Sequence, residues 1–140
     1  MQLSSILSIF SLAALAPAAT VSYDPAYDDP ARSLTEVACS NGDNGLITRF
    51  GWRTLAEVAN FPRIGGAVAV GGWNSPSCGT CWRLEWRGNV VNVLAVDHDG
   101  AGYNIGLAAM NSLTNNRAVE LGRVEAVATQ ANVSACGINT

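Results

Sequence analysis

Gly71-Gly72-Trp73-Asn74-Ser75-Pro76-Ser77-Cys78-Gly79-Thr80-Cys81-Trp82 decides how this chain folds. The stretch holds two of the four cysteines and two of the four tryptophans. Pro76 and Gly79 bracket a bend between two apolar runs, Ala67–Val70 and Cys81–Trp86. Cys78 and Cys81 are placed to tie that bend to Cys39 upstream and Cys136 downstream. A bend tied both ways pins the two halves of the molecule together.

Three pairings of the four cysteines exist. Cys78–Cys81 with Cys39–Cys136 would make a redox pair, but such motifs open a helix within a βαβ unit. Here the C-x-x-C lies among turn residues before an apparent strand, which disfavours it. The other two pairings use the bend as a staple. Joining Cys39 to Cys78 and Cys81 to Cys136 closes loops of about 40 and 55 residues, each contributing up to about 4 kcal/mol on the chain-entropy argument.

Disulfides imply an oxidising compartment, and the N-terminus agrees. Met1–Ala18 has no charged side chain, an apolar run over Ile6–Leu15 and a small-x-small ending at Ala16-Pro17-Ala18. This is the pattern of a secretory signal peptide. The apolar run is shorter than the roughly 20 residues of a membrane span. Residues 1–18 are therefore read as a leader, and residues 19–140 as a single mature domain, secreted to the extracellular space. All eight basic residues are arginines and the formal net charge is −3. A nucleic-acid partner would want a basic face, and anionic membranes exert no pull on such a chain. No nucleic acid and no membrane are expected as partners.

Along the mature chain, Val21–Asp24 reads as a short strand, followed by an acidic, proline-broken loop through Pro30. Ser33-Leu34-Thr35-Glu36 has capping-box spacing and predicts one or two helical turns. Ser40–Gly45 (SNGDNG) is a polar turn, Leu46–Trp52 a strand or loop, and Thr54–Asn60 a brief helix. Ile64-Gly65-Gly66 reads as a breaker before a buried strand over Ala67–Val70. Cys81–Arg87 alternates, with Trp82, Leu84 and Trp86 on one face. Gly88-Asn89 follows as a two-residue II′ turn, and Val90–Val96 as a strand buried on both sides. Leu107, Met110 and Leu113 form the stripe of a helix over Asn104–Asn115, with Asn104 as N-cap. Arg123–Thr129 is another alternating strand. About six strands, one substantial helix and 14 glycines predict a small, disulfide-stapled, mainly-β barrel.

Asp97-His98-Asp99 is the one dense polar cluster. With a single histidine and the cysteines committed to disulfides, a metal site is not expected, and no cofactor is implied. A glycosidase needs two flanking carboxyls; Asp97 supplies one, and Asp24, Asp43 and Asp99 are the unranked partners. The third reading is recognition, with Asp97 accepting hydrogen bonds from a ligand. Trp73 and Asn74 in the bend, and Tyr103 and Asn104 beyond the acids, are residue types that sugar binding uses: a ring covers a pyranose face and amides read its substituents. Asn132-Val133-Ser134 is an N-glycosylation sequon.

The segments VSYDPAYDDPARSLTEVACSNGDNGL (21–46), GGWNSPSCGTCWRL (71–84), VLAVDHDGAGYNIGLAAMNSLT (93–114) and VELGRVEAVATQ (119–130) together resemble the cerato-platanins, over residues 21–138. The resemblance implies a six-stranded double-psi β-barrel with one or two short helices and the disulfides Cys39–Cys78 and Cys81–Cys136. It implies a secreted protein of the fungal cell wall and surroundings, without catalytic residues. Such a protein binds chitin-type N-acetylglucosamine oligomers and loosens cellulose in the manner of an expansin, without hydrolysis. It also elicits plant defence or acts as an allergen through a host receptor. Asp97 matches the family acid, and Asn104 an asparagine associated with N-acetylglucosamine oligomers. Asp99 departs from the pattern, where a small uncharged residue is more usual. The expected binding surface gathers Asp97 and Asn104 with Tyr23, Asp24, Asn41, Trp73 and Asn74 on a monomer. The alternative is a weak glycoside hydrolase of the related barrel type.

Overall fold

The computed structural model describes residues 18–139. The leader read over Met1–Ala18 lies, apart from Ala18, outside the described residues. Six strands close into one barrel: β1 (Ala18–Tyr23), β2 (Ile64–Ala67), β3 (Cys81–Trp86), β4 (Asn89–His98), β5 (Gly102–Ile105) and β6 (Arg123–Ala131). Their order around the barrel is β1-β5-β2-β4-β3-β6, with β6 returning to β1. The pairs β1/β5 and β2/β4 are parallel and the other pairs antiparallel. Closure leaves no free sheet edge. Three short α-helices decorate the described chain: α1 (Leu46–Phe50), α2 (Leu107–Thr114) and α3 (Ala118–Leu121). Four single 3-10 turns complete it.

The hairpin predicted from alternation is present, with its turn one residue earlier. Trp86 pairs with Asn89, so Arg87 and Gly88 are the loop residues, at φ 47° and 83°. Positive φ at both positions is the I′ geometry, which matches strand twist. In β4, Val91, Val93, Leu94, Ala95 and Val96 are all buried, because one face meets the barrel interior and the other α2 and the disulfide loops. Trp82 and Trp86 are half-buried against the core.

Four local expectations are corrected. The strand expected over Ala67–Val70 is instead Ile64–Ala67, and the glycines read as a breaker form its middle. They are needed there: a Cβ on Gly65 would lie 2.4 Å from the Asn104 carbonyl oxygen and 2.7 Å from Cα of Ile105. Glycine inside a strand here marks close backbone approach. Leu46–Trp52 opens as helix α1, stopped by Gly51 at φ 74°. Its helical turns bury Leu46 against the core, which local propensity does not reveal. Asn104 is not the cap of α2 but a residue of β5. The cap comes from far upstream: the Asp28 carboxylate accepts from the amides of Leu107 and Ala108. Asp28 itself ends a 3-10 turn, Pro25–Asp28, in the segment read as a loop. Finally, the capping box expected at Ser33 is realised at Thr54, where Glu57 accepts from the Arg53 and Thr54 amides. At Ser33 the expected helical turn is present, Leu34–Glu36, capped by the Ser33 hydroxyl accepting from Thr35 N–H, while Glu36 does not complete the box.

The disulfides join Cys39 to Cys78 and Cys81 to Cys136, as the resemblance implied. The first fastens the polar turn Ser40–Gly45 to the bend after Val70; the second fastens the C-terminal turn Val133–Cys136 to the start of β3.

Candidate functional site

Strand register builds one part of the site. Gly66 pairs with Asp97 on one side and Asn104 on the other, and Asn104 pairs in turn with Ser22. Four adjacent strands thus present Ser22, Asn104, Gly66 and Asp97 in a row. At about 4.8 Å per strand, Asp97 and Asn104 lie roughly 10 Å apart. Gly66 interrupts the row with no side chain. A Cβ there would stand 2.8 Å from the His98 carbonyl oxygen and 3.4 Å from Cβ of Asp99. The glycine therefore lets the acidic turn close over the row. The register slips between Gly65 and Gly66, leaving Val96 as a bulge. Its carbonyl accepts from Cys39 N–H at 3.1 Å, which brings the Cys39 loop beside Asp97.

The carboxylate of Asp97 accepts three hydrogen bonds and keeps one acceptor site on Oδ2. Oδ2 accepts from the Tyr27 hydroxyl at 2.8 Å, and Oδ1 accepts from the amides of Ala38 and His98, each at 2.9 Å. Tyr27 is buried, with Arg32 over its ring at 5.3 Å. Burial first, and then the hydrogen bond to Asp97, raise the Tyr27 hydroxyl far above the usual phenol range. Its proton stays in place to donate. Asp97 thus gathers the turn at Pro25–Asp28, the approach to Cys39 and its own strand.

Asn104 accepts from the Ser22 hydroxyl at 3.1 Å and is half-buried. Among the described residues nothing accepts from the Asn104 side-chain NH2, which is open to donate.

The second part lies on the loops joined by Cys39–Cys78. The indole N–H of Trp73 donates to Oδ1 of Asn41 at 2.6 Å. The Asn74 side-chain oxygen accepts from the Asn44 amide N–H, and the Asn44 side chain donates back to the Asn74 carbonyl, both at 3.0 Å. Gly42 makes this contact: a Cβ there would lie 2.6 Å from the Asn74 oxygen, and φ is 82°. Trp73 remains 63% exposed, so its ring is both fixed and open to solvent.

Of the residues named from sequence, the structure brings Asn41, Trp73 and Asn74 into one cluster and Asp97 and Asn104 into one row. Asp24 caps the turn at Pro25, accepting from Ala26 N–H at 2.9 Å. Tyr23 does not join the row, because it alternates with Ser22 and shares the face of buried Val21. Asp99 accepts from Gly102 N–H at 3.1 Å, which closes the turn to β5. Three contributors were missed. Tyr27 and Ser22 carry no sequence signal, since their partners are 70 and 82 positions away. Asn44 was within the polar turn that drew attention. The sequon asparagine, Asn132, is exposed and caps the last turn by accepting from Ser134 N–H. Among the described residues, no group of three or more His, Cys, Asp or Glu side chains converges as a metal site. No helix there is long and apolar enough to cross a membrane.

A small β-barrel stapled by two disulfides, with a polar row across four strands and a fixed exposed tryptophan on a disulfide-tied loop, defines the class. The chain belongs to the cerato-platanin family, whose pattern matches residues 19–138. It is 50% identical over 117 residues to Allergen Asp f 15 of Aspergillus fumigatus, spanning 84% of this chain and 76% of that protein. Its fold is similar to the crystal structure of cerato-platanin 3 from M. perniciosa, with TM-score 0.83 and 41% identity over 87% of this chain and all of that one. It is also similar to the solution structure of the fungal elicitor Cerato-Platanin, with TM-score 0.76 and 40% identity over 84% of this chain and 95% of that one.

Proposed function

We propose that the protein is a secreted carbohydrate-binding protein without catalytic turnover, which takes chitin-type N-acetylglucosamine oligomers on the surface formed by Trp73, Asn41, Asn74, Asn104 and Asp97. The observation that carries this is the Trp73 ring, held by Asn41 and by the Asn44–Asn74 latch yet 63% exposed. An exposed indole costs little to bury again when it is already ordered, and its face suits a pyranose ring. The free amide donor of Asn104 suits a hydroxyl or acetamido oxygen. Two further points favour binding over hydrolysis. Glycosidases need a carboxyl acid and a second carboxyl flanking the bond. Asp97 has both oxygens committed to three donors, and Asp24 and Asp99 each cap a turn. Expansin-like loosening of polysaccharide follows from binding chains without cleaving them. The likeness to an allergen and to a fungal elicitor supports an extracellular, wall-associated location and a host immune receptor as second partner.

The test is titration with N-acetylglucosamine oligomers of increasing length, following amide shifts. Each neutral hydrogen bond nets about 1 kcal/mol, so the monosaccharide should not bind measurably. Longer oligomers should reach the range of roughly 10 µM to 1 mM. Trp73→Ala should weaken binding at least several-fold with the melting temperature unchanged. Wild-type affinity in Trp73→Ala, or steady release of reducing ends from chitin or cellulose, would discard this function.

A further inference from the structure

The polar turn Ser40–Gly45 contains both Asn-Gly pairs of the chain, Asn41-Gly42 and Asn44-Gly45. Asparagine is most labile before glycine. With no Cβ on the following residue, that residue's backbone nitrogen can reach the asparagine side-chain carbon, Cγ. The nitrogen bonds to Cγ, ammonia leaves, and a cyclic succinimide forms. Water then opens the ring at either carbonyl, giving aspartate or isoaspartate. In an unfolded chain the two pairs are chemically alike. The fold makes them different.

At Asn44-Gly45 both reacting groups are held. The Gly45 N–H, which would attack, donates to the Gly42 carbonyl at 3.0 Å. The Asn44 side-chain nitrogen, which would leave, donates to the Asn74 carbonyl at 3.0 Å, and the Asn44 backbone N–H donates to the Asn74 side chain. Gly45 is also buried, so close to its neighbours that a Cβ would lie 2.2 Å from the Asn41 carbonyl oxygen. At Asn41-Gly42 the opposite holds. Asn41 is exposed. Among the described residues, neither the Gly42 N–H nor the Asn41 side-chain nitrogen donates to any acceptor. Attacking and leaving groups are both free. Asn41 is held instead by its carbonyl oxygen, Oδ1, which accepts from the Trp73 indole N–H at 2.6 Å. A donor on that oxygen stabilises the negative charge it gains as the nitrogen attacks.

We propose that Asn41 is a site of spontaneous deamidation, and that its isoaspartate product loosens the Trp73 surface. Isoaspartate runs the main chain through the former side chain and so adds a methylene to it just before Gly42. There is no room for it: a Cβ on Gly42 would already stand 2.6 Å from the Asn74 side-chain oxygen and 3.1 Å from the Trp73 ring. The indole loses the partner that fixes it. This second step rests on the reading of Trp73 as a sugar-binding residue; the deamidation itself does not.

The test is incubation of the purified protein in mildly alkaline buffer, folded and, in parallel, reduced in denaturant. Peptide mapping with fragment spectra reads each asparagine. In the folded protein Asn41 should convert at least about ten-fold faster than Asn44, within what the three hydrogen bonds holding Asn44-Gly45 supply. In denaturant the two should convert at similar rates. Asn41→Gln, which would have to close a larger ring, should abolish the fast conversion. The isoaspartate fraction, separated by ion exchange, should bind N-acetylglucosamine oligomers several-fold more weakly than fresh protein. It should also bind more weakly than Asn41→Asp, which carries the same charge on an ordinary backbone. Conversion of Asn41 no faster than Asn44 in the folded protein overturns the site. Full sugar binding by the isoaspartate fraction overturns the loosening if Trp73→Ala is impaired. If Trp73→Ala also binds like wild type, the sugar reading has failed and the loosening falls with it, while the site is still decided by mass.

Discussion

The Tyr27 hydroxyl donates to Oδ2 of Asp97 at 2.8 Å, joining residues 70 positions apart. The bond makes Asp97 a fastener before it is anything else, since it holds the Pro25–Asp28 turn and the Cys39 approach against β4. Tyr27→Phe removes one bond to a charged acceptor in a buried setting and should cost about 2 kcal/mol, read by urea unfolding. Asp97→Ala removes all three and should cost more. Loss of sugar binding in Asp97→Ala that Tyr27→Phe reproduces would identify loop ordering, not direct contact, as the cause.

The two disulfides close 39- and 55-residue separations. Replacing both cysteines of either pair with serine should lower stability by up to about 4 kcal/mol. The consequences for binding should differ. Loss of Cys39–Cys78 unties Asn41 from Trp73 and should weaken oligosaccharide binding. Loss of Cys81–Cys136 frees the C-terminal turn and should leave binding of the folded protein intact. Affinities of the two double variants, measured well below their melting temperatures, decide this.

Gly65→Ala forces a Cβ into the backbone of Asn104 and Ile105, which no side-chain movement relieves. It should destabilise by 3 kcal/mol or more, at or beyond the top of the roughly 1–3 kcal/mol usual for overpacking. Gly71→Ala meets nothing within 4 Å and is the matched control. Equal melting temperatures for the two variants would refute the packing account of β2.

Asp28→Ala leaves the first amides of α2 without their acceptor. A lost N-cap costs about 1 kcal/mol and up to about 2 where charge also meets the helix dipole. Hydrogen exchange should accelerate at Leu107 and Ala108 first. Unchanged protection there would mean that water replaces the cap without cost.

Alkaline stability follows from the tyrosines. Folding raises the Tyr103 hydroxyl from 10.0 to about 12, through burial. The folded state therefore holds this proton more tightly than the unfolded one. The associated stability is complete below pH 10 and is lost as pH rises from 10 towards 12. Tyr27 shifts in the same direction, through burial and Asp97. The tyrosinate absorbance of Tyr27 and Tyr103, isolated by comparison with Tyr27→Phe and Tyr103→Phe, should rise late and together with unfolding, and an early titration of both rings would contradict their burial.

Much of the barrel was legible in the sequence because its determinants are local. Alternation marks β3 and β6 by the simple geometry of a strand, an apolar run marks β4, the Leu107–Met110–Leu113 stripe marks α2 within its longer predicted span, and turn residues mark the hairpin to within one position. The motif around Cys78 and Cys81 carried the family. Tertiary structure alone decided the rest, because the deciding contacts lie far apart in sequence. Gly65 and Gly66 look like a breaker until β5 and β4 press against them. Asn104 looks like a helix cap until Asp28, 79 residues before Leu107, takes that place. Asp97 looks like a free acid until Tyr27 and Ala38 bond to its oxygens. Trp73 is one of four tryptophans in the sequence; only the folding of Asn41 and Asn44 beneath it makes it a fixed, exposed surface.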